Sequence, residues 1–338
     1  MPGTEKHFNI AIFIPEEGCR FQCVFCNQRN ISGRQSIPSR QEVIEIIDKH
    51  LETQPVDSVK EIAFFGGNFT GLPRDRQEEL LAIATEYFQK GLIHAIRFST
   101  RPDFIDEDTL TFLKKFPVKT IELGVQSFSD HVLRKSGRGH TASQNREAAL
   151  KVKAAGFELV LQMMTGLPGA SVEDDLNTAQ TIISLGAKGT RIYPCLVIQG
   201  TALEKMYHER KYRPQELEEA VRLSAQLIQL FEQANVKVLR VGLHPSEQLL
   251  NGTSLVAGPF HPAFRQMAET LIWNDRLKQI PIKGNKTKHL TVRVAPKALI
   301  EAIGFKKQNK NWLIPYFHSV RFEPDPTLKN REFTYCID

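Results

Sequence analysis

Seven short apolar, β-rich runs alternate along this chain with polar segments of helical period, and that alternation leaves few folds open. The strand-like runs lie near residues 8–14, 61–65, 95–99, 118–125, 157–163, 189–195 and 236–241, and the helix-like segments near 40–53, 75–90, 106–115, 143–155, 172–185 and 214–233. Regular strand–helix alternation calls for a parallel sheet with helices packed outside it. Units of this number and length predict an α/β fold, a partial (β/α)6-type TIM barrel with parallel strands. The Gly-x-Gly-x-x-Gly fingerprint of flat dinucleotide-binding sheets is absent. Helix punctuation agrees: Ser39 with Glu42 three residues on reads as a capping box, and Gly91, Gly156 and Gly186 follow helical runs.

Beyond about residue 245 the pattern changes. Asn251-Gly252, Gly258-Pro259 and His261-Pro262 form a loop-rich stretch. A helix near 262–273 follows, then a strand near 290–294, a short helix near 297–303 and strands near 319–322 and 332–337. The expected organisation is a barrel over residues 1–245 and a small α+β appendage over 246–338. The appendage is basic: residues 276–338 hold 13 Lys or Arg against 5 Asp or Glu, whereas the whole chain has a net charge of only +6. Such a face suits phosphates, although a solvated lysine-rich surface reads the same way. No apolar run is long enough to span a bilayer and the N-terminus carries no apolar targeting segment, so a cytoplasmic protein with no membrane association is expected.

Chemistry enters at Cys19, Cys23 and Cys26, a C-x3-C-x2-C loop directly after the first strand-like run. Thiolates hold iron–sulfur clusters, and three from one loop leave the fourth iron of a [4Fe–4S] cube open to a substrate. A zinc site would draw a fourth ligand from Cys195, Cys336 or a histidine, and more often shows two separated cysteine pairs. Structural thiols or a disulfide are the remaining reading, weakened by five cysteines in 338 residues, a sparse and odd number.

In parallel α/β folds ligands gather at the carboxyl ends of strands. Those ends read Gly66-Gly67-Asn68, Ser99-Thr100-Arg101-Pro102-Asp103, Glu122-Leu123-Gly124-Val125-Gln126-Ser127, Gln162-Met163-Met164-Thr165-Gly166-Leu167-Pro168-Gly169 and Tyr193-Pro194-Cys195. Paired glycines let a backbone approach a ligand closely, or simply make a tight turn. Gln126, on an apolar strand, needs hydrogen bonds from a ligand or from a core amide network. Arg138 between two glycines has the reach and fork for a carboxylate. The two methionines there, Met163 and Met164, could pack on an adenine, although filling the core is the commoner use.

Together with the cysteine loop, these segments over about residues 8–265 resemble radical S-adenosylmethionine enzymes related to the catalytic subunit of Elongator, and more distantly the oxygen-independent coproporphyrinogen oxidases. The resemblance implies that Cys19, Cys23 and Cys26 ligate a [4Fe–4S] cluster whose open iron binds S-adenosylmethionine, releasing a 5′-deoxyadenosyl radical on reduction. It implies Phe25 beside the adenine, Gly66 and Gly67 at the methionine amine, Gln126 at the ribose and Arg138 at the cofactor carboxylate. Asn68 stands where many members carry glutamate, and Ser99 where both relatives place a ribose-binding glutamate. Gln162 and Met163 complete the expected cofactor site. A low-potential reductant such as flavodoxin or ferredoxin is implied. About seventy residues follow the resembling part, too few for the acetyltransferase domain of the Elongator subunit. The expected function is therefore hydrogen abstraction from a substrate, with RNA, in particular tRNA, the first reading. A small molecule or peptide is the second, and a cluster-bearing carrier without turnover the third. Cys195, Cys336, Arg240, His244 and His261 stand as further residues of open role.

Overall fold

The structure is a computed structural model that describes residues 6–15, 19, 23–27, 36–243 and 246–338. The chain packs as two compact units, residues 1–215 with 231–259, and residues 216–230 with 260–338.

The first unit is built on a seven-stranded parallel sheet. Its strands are β1 (His7–Ile14), β2 (Val59–Gly66), β3 (Ala95–Thr100), β4 (Val118–Gln126), β5 (Glu158–Thr165), β6 (Gly189–Pro194) and, beyond a short β7 (Val197–Ile198), β8 (Lys237–Val241). The spatial order β1-β2-β3-β4-β5-β6-β8 follows the sequence, as right-handed strand–helix–strand units require, and gives an open partial barrel. The connecting helices are α1 (Arg40–Thr53), α2 (Arg74–Gln89), α3 (Glu107–Leu113), α4 (Asp130–Lys135), α5 (Ala142–Ala154) and α6 (Val172–Ser184). Ser39 and Glu42 form the expected capping box on α1. Thr141 with Gln144, and Ser171 with Asp174, cap α5 and α6 in the same way. Gly91, Gly156 and Gly186, just past helix ends, have positive φ as C-terminal caps do. β7 pairs antiparallel with β9 (Leu255–Ala257), a ribbon that lacks any long apolar run in the sequence.

Strand alternation divides the sheet into two faces. Ile10, Ile12, Ile62, Phe64, Ile96, Phe98, Ile121, Leu123, Leu159, Leu161 and Ile192 are at most 1% exposed and make the apolar face under the helices. Phe69 stacks between Phe64 and Phe98, at 5.2 and 4.7 Å between ring centres. Burying such side chains contributes roughly 1.5–3 kcal/mol each.

The inner face is charged. Glu61 of β2 meets His7 at 3.2 Å and Arg97 at 2.6 Å. Arg97 of β3 also donates to Glu122 of β4 at 3.1 Å, and Glu122 takes a two-pronged contact from Arg191 of β6 at 2.7 and 3.1 Å. Arg191 lies over the Phe65 ring. Burial would raise the pKa of Glu61, but His7 and Arg97 pull it below the ordinary carboxylate value. Arg191 is held firmly protonated: burial opposes its charge and Glu122 more than offsets that. Arg240 of β8, opposite Arg191 in register, turns its Nε to the Gly242 carbonyl.

The second unit carries a three-stranded sheet, β10 (His289–Val294) between a parallel β11 (Ser319–Pro324) and an antiparallel β12 (Phe333–Ile337). A helix over Phe264–Leu277 supplies Trp273 and Leu277 to its core, with Leu290, Val292, Val294, Leu313 and Phe317. Among the described residues no helix is long and apolar enough to cross a membrane.

Glu122→Ala removes the carboxylate shared by the buried Arg97 and the half-buried Arg191 and should cost roughly 3–5 kcal/mol in urea unfolding. A loss below about 1 kcal/mol would mean that the inner charges do not hold the sheet together.

Candidate cofactor and cluster site

The strand carboxyl ends bring most of the predicted residues to one end of the sheet. β1 leads into the cysteine loop, where Cys23 is buried and Cys19 and Cys26 are half-buried. The Cys26 amide donates to the Cys23 carbonyl at 3.0 Å, and the Val24 amide to Ser136 at 3.1 Å. Phe25 packs with Val24 against a cluster containing Met164, Leu167, Cys195, Leu203 and Tyr212. The five cysteines form no disulfide. Among the described residues no three His, Cys, Asp or Glu side chains stand together as a metal-binding set, and residues 20–22 of the loop lie outside those described.

At the end of β2, Gly67 donates its amide to the Ile14 carbonyl at 2.7 Å. A Cβ on Gly67 would stand 2.7 Å from the Pro15 oxygen, so only glycine lets this loop lie against the end of β1. Asn68 follows Gly67 at this strand end. It is fully buried, and its Oδ1 accepts from Thr100 Oγ1 at 2.6 Å and from the Arg101 amide at 3.2 Å, tying the β2 end to β3. Ser99 lies beside Glu122 in register and is half-buried.

The β4 end carries the densest chemistry. Gln126 is buried with φ 63°, a left-handed conformation that costs a non-glycine residue about 1–3 kcal/mol. Its Oε1 accepts from Gln162 Nε2 at 2.8 Å, so two predicted ligand residues form one carboxamide pair. Arg138 is 6% exposed; it donates from Nη1 to the Cys23 sulfur at 3.2 Å and from Nη2 to the Gly124 carbonyl at 2.6 Å. A Cβ on Gly124 would lie 2.9 Å from Gln126 Nε2 and 3.6 Å from Arg138 Nη2, so both side chains use the space that glycine leaves. Among the described residues Arg138 Nε is buried without a hydrogen-bond partner.

These residues fit the group the sequence pointed to. Three soft thiol donors on one loop suit iron and sulfide. A guanidinium donates an N–H to one of the sulfurs, and among the described residues its Nε–H is unsatisfied and so left for an anionic ligand.

Comparison with known proteins settles the family. The radical SAM superfamily profile matches residues 13–182, half of the chain, and a radical SAM C-terminal domain matches residues 187–273. The chain belongs to the radical SAM superfamily. As a radical SAM protein it is an enzyme, and membership implies a [4Fe–4S] cluster and S-adenosylmethionine. It is similar to Elongator complex protein 3 of Saccharomyces cerevisiae, 29% identical over 195 residues, 52% of this chain and 35% of that protein. It is also similar to the tRNA uridine(34) acetyltransferase of Methanocaldococcus infernus, 33% identical over 130 residues, 38% of this chain and 24% of that one. Its fold resembles the solved archaeal Elp3 of Methanocaldococcus infernus, with a TM-score of 0.63 at 22% identity over 81% of this chain and 64% of that chain. The matched region is less than two-thirds of each relative's own length.

Within this radical SAM site the structure separates what the sequence had grouped. Met163 is fully buried and alternates away from Gln162, among the apolar side chains under the helices. Met164, on the same face as Gln162, is the methionine that packs with Phe25. Cys195 is 1% exposed, and burial pushes its thiol up to about 12, as a structural thiol requires. Cys336 belongs to the second unit and donates to Asp338 at 2.8 Å. His261, in the same unit, packs edge-on against Phe305, and His244 lies outside the described residues.

Sequence reasoning passed over Asp103, His140 and Asp175. Burial opposes ionisation of Asp103, yet hydrogen bonds from His140 and Arg101 hold its carboxyl at about 2. His140, completely enclosed, is pushed below the ordinary histidine value by burial, against the pull of Asp103. Asp175 on α6 accepts from the Gly166 amide at 3.1 Å, and burial raises its carboxyl to about 7. It borders a cavity of about 310 Å³ with Tyr212, Gln215 and Lys211. Only the S-x-x-D-D arrangement at 171–175 hinted at it, and Asp174 takes the capping role.

Because the folded pKa of Asp175 is raised, the folded state keeps a proton that the unfolded chain releases, so this group costs stability progressively as pH rises from about 4 to 7. Asp175→Asn should therefore gain melting temperature relative to the parent as pH rises from 4 to 8. A gain that is constant or shrinks with pH would contradict the buried, protonated acid.

Proposed function

We propose that the chain holds a [4Fe–4S] cluster through Cys19, Cys23 and Cys26, binds S-adenosylmethionine at the β2–β5 carboxyl ends, and acts on RNA, with tRNA the substrate. The contact that carries the site assignment is Arg138 Nη1 on the Cys23 sulfur, with its Nε unpartnered. When bound, the cluster and S-adenosylmethionine supply a reductively generated 5′-deoxyadenosyl radical that abstracts hydrogen from the substrate.

The protein's own residues hold and orient. Arg138 donates to the Cys23 sulfur and offers its remaining N–H to the cofactor carboxylate. The Gln126–Gln162 pair offers carboxamide donors and acceptors to ribose hydroxyls. Gly66 and Gly67 bring backbone groups to the methionine amine without a side chain in the way. Phe25 and Met164 provide the apolar surface on which an adenine stacks. Ser99, neutral and half-buried, takes a hydrogen bond rather than a charge to the cofactor.

Support for RNA comes from relatives named for tRNA uridine modification and from the basic second unit. There Lys306 and Lys307 are exposed, with left-handed φ of 49° and 62°, on a turn leading into the helix Gln308–Leu313 that carries Lys310 and the half-buried Trp312. Among the described residues no ion pair engages Lys306, Lys307 or Lys310, which leaves their charge for phosphates. We place the enzyme in the cytoplasm, with flavodoxin or ferredoxin as electron donor.

Anaerobic reconstitution with iron and sulfide should give about four irons per chain. Reduction in the presence of S-adenosylmethionine should then release 5′-deoxyadenosine, and Cys23→Ala should lose both properties. Bound zinc, or iron retained in full by Cys23→Ala, would overturn the cluster assignment. Transfer RNA should bind with a steep salt dependence. Lys306→Ala with Lys307→Ala should reduce the slope of log affinity against log salt by roughly 1.4–1.8, from about 0.7–0.9 per phosphate contact. Affinity that is unchanged by salt or by the two substitutions would remove this surface from substrate binding and favour a small-molecule or peptide substrate.

A further inference from the structure

The loop that delivers Arg138 to Cys23 is held by a second arginine. Arg101, 3% exposed, donates from Nη2 to the Arg138 carbonyl at 2.6 Å. Asp103 grips the same guanidinium with both oxygens, from Nε at 3.0 Å and Nη2 at 3.0 Å. The His140 ring stands 3.4 Å from both Asp103 Oδ1 and Arg101 Nη2. The backbone of Arg101 is anchored in turn, since its amide donates to Asn68 Oδ1. Every link in this chain is buried or half-buried: β2 end, β3 end, the 136–140 loop, then the cysteine loop. Among the described residues Arg101 contacts neither Cys23 nor the carboxamide pair, and it meets the Arg138 loop at the Arg138 carbonyl.

We propose that Arg101, clamped by Asp103 and His140, is a positioning residue that sets the Arg138 N–H···S contact on Cys23 and through it the reduction potential of the cluster. Hydrogen bonds to ligating sulfurs favour the reduced, more negative cluster and raise its potential. A guanidinium at 3.2 Å from the sulfur is such a donor, and the carbonyl of the same residue is held by the charged side chain of Arg101. Arg101→Lys keeps the charge but loses the fork that engages Asp103 and the Arg138 carbonyl together. Asp103→Asn keeps the shape and loses the charge that orients the fork. The inference rests on a cluster being held by Cys19, Cys23 and Cys26.

The test is a potentiometric titration, followed by electron paramagnetic resonance, of anaerobically reconstituted parent, Arg138→Gln, Arg138→Lys, Arg101→Lys and Asp103→Asn. At the parent midpoint, Arg138→Gln should lower the ratio of reduced to oxidised cluster about tenfold, with Arg138→Lys partly restoring it. Arg101→Lys and Asp103→Asn should lower the ratio about threefold each. The double variant Arg101→Lys/Arg138→Gln should match Arg138→Gln alone, because residues acting through one contact are not additive. Melting curves of the cluster-free proteins separate loss of fold from loss of position. A ratio left unchanged by Arg101→Lys in a folded protein, or effects that multiply in the double variant, would overturn the proposal. A parent chain that assembles no cluster would overturn the cluster assignment first and this proposal with it.

Discussion

The inner face of the sheet is closed by charge rather than by oil, and the position of everything above it depends on that. Glu122 is shared by Arg97 and Arg191, Arg97 is shared with Glu61, and Glu61 reaches His7, so one hydrogen-bonded chain of ions links β1, β2, β3, β4 and β6. Each ion pair loses much of its hydration, and only complete pairing makes that tolerable. An apolar filling would tolerate small slips of one strand past another. Directional pairs do not, so they fix the relative height of the strands whose carboxyl ends carry the site. The open sheet lacks the closed hydrogen-bond circuit of a full barrel, and the ion chain supplies cross-strand registration in its place.

Much of this was legible in the sequence, for physical reasons. The seven strands show in the sequence as apolar, β-rich runs whose alternate residues pack under the helices, and their ends were found to within about two residues. Ser39 and Glu42 announced α1 because a capping box depends on local spacing alone. The helix α4 and the β7–β9 ribbon were missed: each is short, and the ribbon is held by partners distant in sequence. The site shows the same division. Residue types at strand ends could be listed, but which of two neighbouring methionines faces Phe25 depends on strand phase. The bulge at β4, where register shifts between Gly124 and Gln126, alters that phase locally.

Asn68 and the Arg101–Asp103 pair illustrate a further limit. In the sequence they are polar residues at strand ends, indistinguishable from ligand contacts. In three dimensions Asn68 has no exposed surface and its amide oxygen joins two loops. The site as proposed has an outer layer for ligand and an inner layer, Asn68 and Arg101 among it, that ties neighbouring loops together. Only partners and burial, which are properties of the folded chain, tell them apart. The family relationship fixes the kind of chemistry, while the layout of the inner layer belongs to this chain's own residues.

The twisted backbone at Gln126 carries one more implication. Glycine would relax that conformation at once, yet the position holds a long carboxamide whose grip on Gln162 depends on the awkward geometry. The backbone strain at this residue is therefore tied to the contact between the ends of β4 and β5. Glycine at this position would relieve the backbone cost and give up the side-chain link between two strand ends, so the kink exchanges local stability for a fixed carboxamide pair.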